Sequence, residues 1–206
     1  ELKDMSFEHI DERTNRVTIG DMQADLTQDT ANPDKTYITN PKGNEKLSIE
    51  RKIDAEAGTV ELIGRDENAG INTHYMKADK ATQSLEYHAN VNGEHTTMQL
   101  KKTGPGEDDV SGRVKASGKD YKMDLEVVNG QPIGSFQQVE NGYLFKSRIY
   151  ADGTMSQEIS EQKTGKLLYR LTGTEDYMKI YDAENRLVAE GADEDNMKVY
   201  REDDYK

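Results

Sequence analysis

Residues 85–100 read Leu85-Glu86-Tyr87-His88-Ala89-Asn90-Val91-Asn92-Gly93-Glu94-His95-Thr96-Thr97-Met98-Gln99-Leu100. A two-residue type I′ turn needs positive φ at both central positions, which Asn and Gly tolerate best, so Asn92-Gly93 is a strong hairpin signal. That turn fixes a register in which Val91 opposes Glu94, Ala89 opposes Thr96, Tyr87 opposes Met98 and Leu85 opposes Leu100. One face is then mainly apolar. The other carries Glu86, His88, Asn90, His95, Thr97 and Gln99. A slip of one residue would exchange the faces, so the sorting itself argues for a folded hairpin.

The same logic extends in both directions. A turn at Gly118-Lys119 sets Ala116 against Tyr121, Val114 against Met123, Gly112 against Leu125 and Val110 against Val127, with Arg113 facing Asp124 and Lys115 facing Lys122 on the other side. Glu140-Asn141-Gly142 reads as a three-residue loop that brings Val139 beside Tyr143 and Gln137 beside Phe145. Strands are expected near 16–26, 46–53, 58–65 and 71–78, with further turns at Ala55-Glu56-Ala57, Asn68-Ala69-Gly70, Asp152-Gly153, Lys163-Thr164-Gly165 and Glu184-Asn185. No stretch repeats apolar residues at i, i+3, i+4 and i+7 over three turns, so no helix is expected. The predicted fold is all-β: antiparallel β-hairpin repeats forming an extended or curled sheet of roughly a dozen short strands. Residues 1–40, with polar stretches and Pro33, read as a loosely structured segment ahead of a β-repeat domain over 41–206, with a sub-boundary near 104–109 or 129–134.

Composition narrows the function. Leu, Ile, Val and Phe make up only 36 of 206 residues, and 40 acidic residues against 27 basic ones give a formal net charge of -13. Composition of this kind approaches the disordered range, and it is the strand periodicity that answers the warning. So acidic a chain repels phosphate backbones, which argues against nucleic acid as a partner. No window approaches 18 apolar residues, so no membrane span is expected. With no Cys, disulfides, thiol catalysis and Cys-ligated zinc are excluded. The chain starts at Glu1, which suggests a removed signal peptide and a secreted, periplasmic or cell-surface location.

The last third repeats itself. Gly173-Thr174-Glu175-Asp176-Tyr177-Met178-Lys179-Ile180-Tyr181 aligns with Gly191 to Tyr200 across one inserted residue, and Met178-Lys179-Ile180-Tyr181 returns 19 positions later as Met197-Lys198-Val199-Tyr200. Tyr150 and Tyr169 share that spacing. Each unit is a strand, a tight Asp/Gly or Glu/Asn turn, and a strand. Over about 149–200 the units resemble the variant MORN repeats of the YwqK-type family, and they are also similar to the Tyr-Asp turn units of large bacterial YD-repeat shells. The MORN resemblance implies an extended run of β-hairpins, often in bacterial envelope or secreted proteins, with partner binding more usual than chemistry.

Candidate sites follow from the same register. His88 and His95 are diagonal neighbours on one face with Glu86, a spacing within reach of a shared cation. His74 joins them only if its strand is adjacent, and solvated histidines are the simpler reading. The acidic runs Glu107-Asp108-Asp109, Asp193-Glu194-Asp195 and Glu202-Asp203-Asp204 lack the alternating loop that a calcium site needs and read as solvated turns and a tail. No nucleophile elbow, phosphate loop or His-Glu-x-x-His is present, so no enzyme and no cofactor is expected. Tyr150, Tyr169, Tyr181 and Tyr200 are the candidate partner-binding residues, the alternative being a ladder that holds successive repeats together. The expected function is a non-catalytic interaction protein of the bacterial envelope or secreted fraction that binds a protein or surface partner. The runner-up is a cytoplasmic immunity-like protein whose acidity masks a basic effector. A β-barrel carrier of a lipophilic molecule ranks third, because the apolar content is small.

Overall fold

The computed structural model describes residues 5–192 and 196–200, and within them the chain is all-β with eighteen strands. It divides into two compact units, residues 1–92 with 97–101 and residues 93–96 with 102–206. The first contains β1 (Met5–Asp11), β2 (Thr14–Ile19), β3 (Met22–Gln28), β4 (Lys35–Thr39), β5 (Lys46–Asp54), β6 (Thr59–Asp66), β7 (Ile71–Asp79) and β8 (Ser84–Val91), with β9 (Glu94–Lys102) following across Asn92-Gly93. Strands β1 to β8 pair antiparallel with their neighbours in sequence. The second unit contains β10 (Val110–Ser117), β11 (Tyr121–Val128), β12 (Gln131–Glu140), β13 (Tyr143–Ile149), β14 (Met155–Glu161), β15 (Leu167–Thr174), β16 (Tyr177–Asp182), β17 (Leu187–Gly191) and β18 (Lys198–Val199), again a simple antiparallel meander.

Two turn chemistries close these hairpins. Asn92-Gly93, Asn129-Gly130 and Asn141-Gly142 each have positive φ at both residues, with Asn at 49 to 53° and Gly at 79 to 83°, the type I′ geometry that matches strand twist. The longer loops open on an aspartate whose carboxylate takes backbone N–H groups of the turn. Asp54 receives Ala57, Asp66 receives Asn68 and Ala69, and Asp79 receives Thr82, all at 2.9 to 3.0 Å. Aspartate suits this place because its short side chain reaches its own backbone two or three residues on.

Several expectations need correction. Residues 5–39, read from sequence as loosely structured, form β1 to β4. The polar stretches there are the connecting loops at 29–34 and 40–45. Strand β2 is held by Arg16, whose guanidinium forks onto Asp25 at 2.7 and 3.0 Å, so polar pairing supplies what apolar content does not. The Glu140-Asn141-Gly142 loop is one residue shorter than expected, because Asn141 and Gly142 alone make the turn. Glu140 therefore opposes Tyr143 and Gln138 opposes Phe145. The loop after β10 is longer than two residues, so Ala116 opposes Met123 and Val114 opposes Leu125.

Among the described residues the buried ones are Ala189 at 7% exposure, Gly191 and, as the one with a polar side chain, Ser48 at 2%. Within each unit the substantial strand contacts run between neighbouring strands only, so neither sheet is covered by a second layer of its own unit. What burial exists is between neighbouring side chains on the same face.

A candidate binding surface on an uncovered apolar face

Residues directly across a ladder share a face, so the register sorts every strand residue of the second unit onto one of two sides. One transverse row on the first side runs Val114, Leu125, Gly134, Ile149, Met155, Gly173, Met178 and Gly191. The next row contains Met123, Phe136, Leu171, Ile180 and Ala189, with Ser147 and Gln157 between them. Where the glycines fall, the face is grooved. Met123, Leu125, Phe136, Ile149, Met155 and Met178 line a groove of about 430 Å³ with Gly134 at its base. Three methionines make its walls deformable, since Met is unbranched and polarisable.

The glycines in this row answer a backbone need. Gly134 has φ +143° and a Cβ there would strike the carbonyl oxygen of Asp124; Gly173 has φ +159° and a Cβ would strike the carbonyl of Tyr177. Both positions bring neighbouring backbone too close for any side chain.

Charge is sorted within the strands too. The seven lysines and arginines in β10 to β17 are Arg113, Lys115, Lys122, Lys146, Arg148, Arg170 and Lys179, and the register puts all of them on the opposite, polar side. Within these strands the only charges on the apolar side are carboxylates near one end, where Glu140 and Glu161 flank Tyr143 and Asp182 lies across from Tyr169, and Lys166 and Arg186 from the adjoining turns line the same concavity. Asp182 is occupied within its own turn, accepting from the backbone N–H groups of Glu184 and Arg186 and from Arg186 Nε at 2.7 Å.

The four tyrosines singled out from the repeat do not form one stripe. Tyr169 lies on the apolar side, 45% exposed, and borders an open concavity of about 910 Å³ together with Leu171, Ile180 and Ala189. Tyr181 opposes Arg170, one position out of step with the Tyr169–Asp182 pair, and so faces the other way. Tyr150 packs under Arg148, 5.4 Å from guanidinium carbon to ring centre, and its hydroxyl meets Ser156 Oγ at 3.3 Å. Tyr200 donates to Glu190 at 2.6 Å beneath Lys198, and also borders the concavity beside Tyr169. The Tyr200 hydroxyl, opposed by burial and aided by Tyr177, holds the Glu190 carboxyl below its ordinary range.

In the first unit the register places His74 opposite Ala89, and so on the other side of the sheet from Glu86 and His88, although their strands are neighbours. His88 Nε2 meets Glu86 Oε1 at 2.6 Å, and its ring lies 6.0 Å from that of Tyr75. His95 lies in β9. Among the described residues no three His, Asp or Glu side chains come together as metal ligands. Of the acidic runs, the one at 107–109 folds back on its loop, with Asp109 accepting the Gly106 N–H at 2.7 Å and Lys102 donating to the Gly106 carbonyl. Asp193 to Asp195 and Glu202 to Asp204 lie outside the described residues.

Sequence reasoning missed a polar cluster on the first unit. Ser48 donates to Glu67 Oε1 at 2.5 Å, Lys35 Nζ reaches the same oxygen at 3.0 Å, and Lys35 and Lys46 stand 4.9 and 4.2 Å from the centre of the Tyr37 ring. The Ser48 hydroxyl and then the Lys35 ammonium hold the Glu67 carboxyl below its ordinary range. These residues lie up to 32 positions apart, and only the β4–β5–β6 register brings them together. The Met and Phe groove was likewise hidden, because its rows depend on the lengths of five turns. No helix is long and apolar enough to cross a membrane. The chain matches no protein-family model and no curated protein sequence.

Proposed function

We propose that this chain is a non-catalytic β-hairpin-repeat interaction protein of the bacterial cell envelope or secreted fraction, which engages a protein or surface partner through an apolar sheet face. The observation that carries the reading is that, among the described residues of each unit, strands contact their neighbours and no second layer of that unit covers the sheet. A sheet with one apolar side gains free energy by covering it with another element, and contiguous exposed apolar patches mark interaction sites in native proteins. Phe7, Met22 and Val199 are 67 to 70% exposed, far outside the range of core residues. The resemblance of residues 149–200 to variant MORN repeats supports both the role and the compartment. The surface acidity keeps such a molecule soluble while the face stays open.

The test has two arms. A fluorescent apolar dye binds the folded chain below its melting temperature, and cell fractionation finds the protein in the envelope or the medium. A folded chain that leaves the dye dark, or a protein confined to the cytosol, removes the reading.

A further inference from the structure

We propose that Asn141-Gly142, the turn between β12 and β13, is a site of spontaneous covalent modification, at which the asparagine converts through a succinimide to aspartate and isoaspartate, while Asn129-Gly130, the turn between β11 and β12, is protected by residues 103–111 packed on it. The two turns share sequence and geometry. Asn129 and Asn141 have φ +49° and +51°, Gly130 and Gly142 have +79° and +83°, and all four residues are exposed. Glycine follows the asparagine in both, so no side chain shields the amide nitrogen that must attack. Their surroundings differ. Among the described residues neither the Gly142 N–H nor the Asn141 side-chain amide has a hydrogen-bond partner, and a Cβ on Gly142 would meet nothing within 4 Å beyond its chain neighbours. At the other turn the Gly130 N–H donates to the Val110 carbonyl at 2.8 Å, the Asn129 N–H to Ser111 Oγ at 3.0 Å, and Thr103 Oγ1 to the Asn129 side-chain oxygen at 3.3 Å. The Asp108 carbonyl oxygen stands 2.8 Å from where a Gly130 Cβ would lie.

The step balances with water alone. The Gly142 amide gives its proton to hydroxide, its nitrogen bonds to the side-chain carbonyl carbon of Asn141, and the side-chain nitrogen leaves as ammonia. Water then opens the succinimide ring at one or other carbonyl, giving ordinary aspartate or a main chain that runs through the β-carbon. Nothing is oxidised or reduced. Ring closure requires the turn to leave its type I′ shape, and local opening costs least where few contacts must break. At Asn129-Gly130 three hydrogen bonds stand in the way, and the attacking nitrogen is itself the donor in one of them. Either product adds a negative charge next to Glu140, and isoaspartate also adds a backbone atom to a loop whose length sets the β12–β13 register.

The experiment ages the whole chain in mildly alkaline buffer below its melting temperature and follows both sites by peptide mass spectrometry, which reads ammonia lost and water gained and separates aspartate from isoaspartate by fragmentation. Asn141 is expected to convert roughly tenfold faster than Asn129 in the folded chain. In concentrated urea, where neither turn persists, the two are expected to convert at similar rates, since each is an asparagine followed by glycine. Equal rates in the folded chain, or an Asn141 that stays intact while the unfolded chain converts, overturn the proposal. A preference for Asn141 that persists unchanged in urea also overturns it, because the flanking residues and not the fold would then set the rate. Thr103→Val with Ser111→Ala removes two of the three hydrogen bonds, and is expected to raise the Asn129 rate severalfold while leaving that of Asn141 unchanged. A folded double variant with no faster Asn129 removes residues 103–111 as the protecting element. If the double variant loses its β-sheet signal, the comparison of folded and unfolded native chain decides.

Discussion

Arg113 holds Asp124 through two hydrogen bonds of 2.9 Å, Nε to Oδ1 and Nη2 to Oδ2, although the residue directly across from Arg113 is Glu126 and the one across from Asp124 is Lys115. The pair is diagonal. It survives a loop longer than the sequence suggested because a shift of two residues keeps every side chain on its own face. Both side chains are well exposed, so a double-mutant cycle on Arg113→Ala and Asp124→Ala is expected to give a small coupling that disappears at high salt. A large, salt-insensitive coupling contradicts this.

Glu67 sets an acid limit on the first unit. Its carboxyl titrates below the ordinary range, held there by Ser48 and Lys35, so its contribution is present above the unfolded value and is lost as pH falls through the folded one. Glu67→Gln is therefore less stable than the native chain at neutral pH, and the difference narrows in acid as Glu67 becomes protonated. Urea midpoints at neutral and acid pH measure it, and a difference that does not narrow in acid refutes the assignment.

Backbone proximity predicts an asymmetry among glycines. At Gly134 and Gly173 an added Cβ meets main-chain carbonyls, so Gly134→Ala and Gly173→Ala each destabilise by more than about 1 kcal/mol. Gly142, with φ +83° and open space around it, takes Asn with a smaller loss, because Asn tolerates the left-handed region. Thermal melts of the three variants rank them, and equal shifts would contradict the argument.

Opposite facing predicts different behaviour for two tyrosines only twelve positions apart. Tyr169→Asp puts a charge on the apolar side and dims the bound apolar dye. Tyr181→Asp changes the polar side and leaves the dye signal near that of the native chain. Equal dimming by both would contradict the facing assignment.

The sequence carried the hairpins well where a turn has a two-residue signature. Asn92-Gly93 alone delimits β8 and β9. Asn141-Gly142 holds the same signal, and including Glu140 in that loop displaced Phe145 by one partner. The 5–39 region was misjudged because its strands are half polar, and a pair such as Arg16 with Asp25 becomes visible only when β2 and β3 are in register. The repeated tyrosines Tyr169 and Tyr181 fall on different sides for a similar reason. Spacing along the chain does not determine facing: across β15 and β16 the partners Tyr169 and Asp182 share a side, so Tyr181 falls on the other. A bulge between Ile159 and Ser160 shifts the count again. The groove follows from these registers and is not local to any segment.

Because successive strands of each unit are partners, β10 through β18 forming one uninterrupted meander, assembly during synthesis is strictly next-neighbour. A ribosome delivers roughly 5–20 residues per second, so a strand emerges about once a second, whereas a hairpin closes in about 1–10 μs. Each emerging strand meets a template completed moments before it, and none waits for a distant mate.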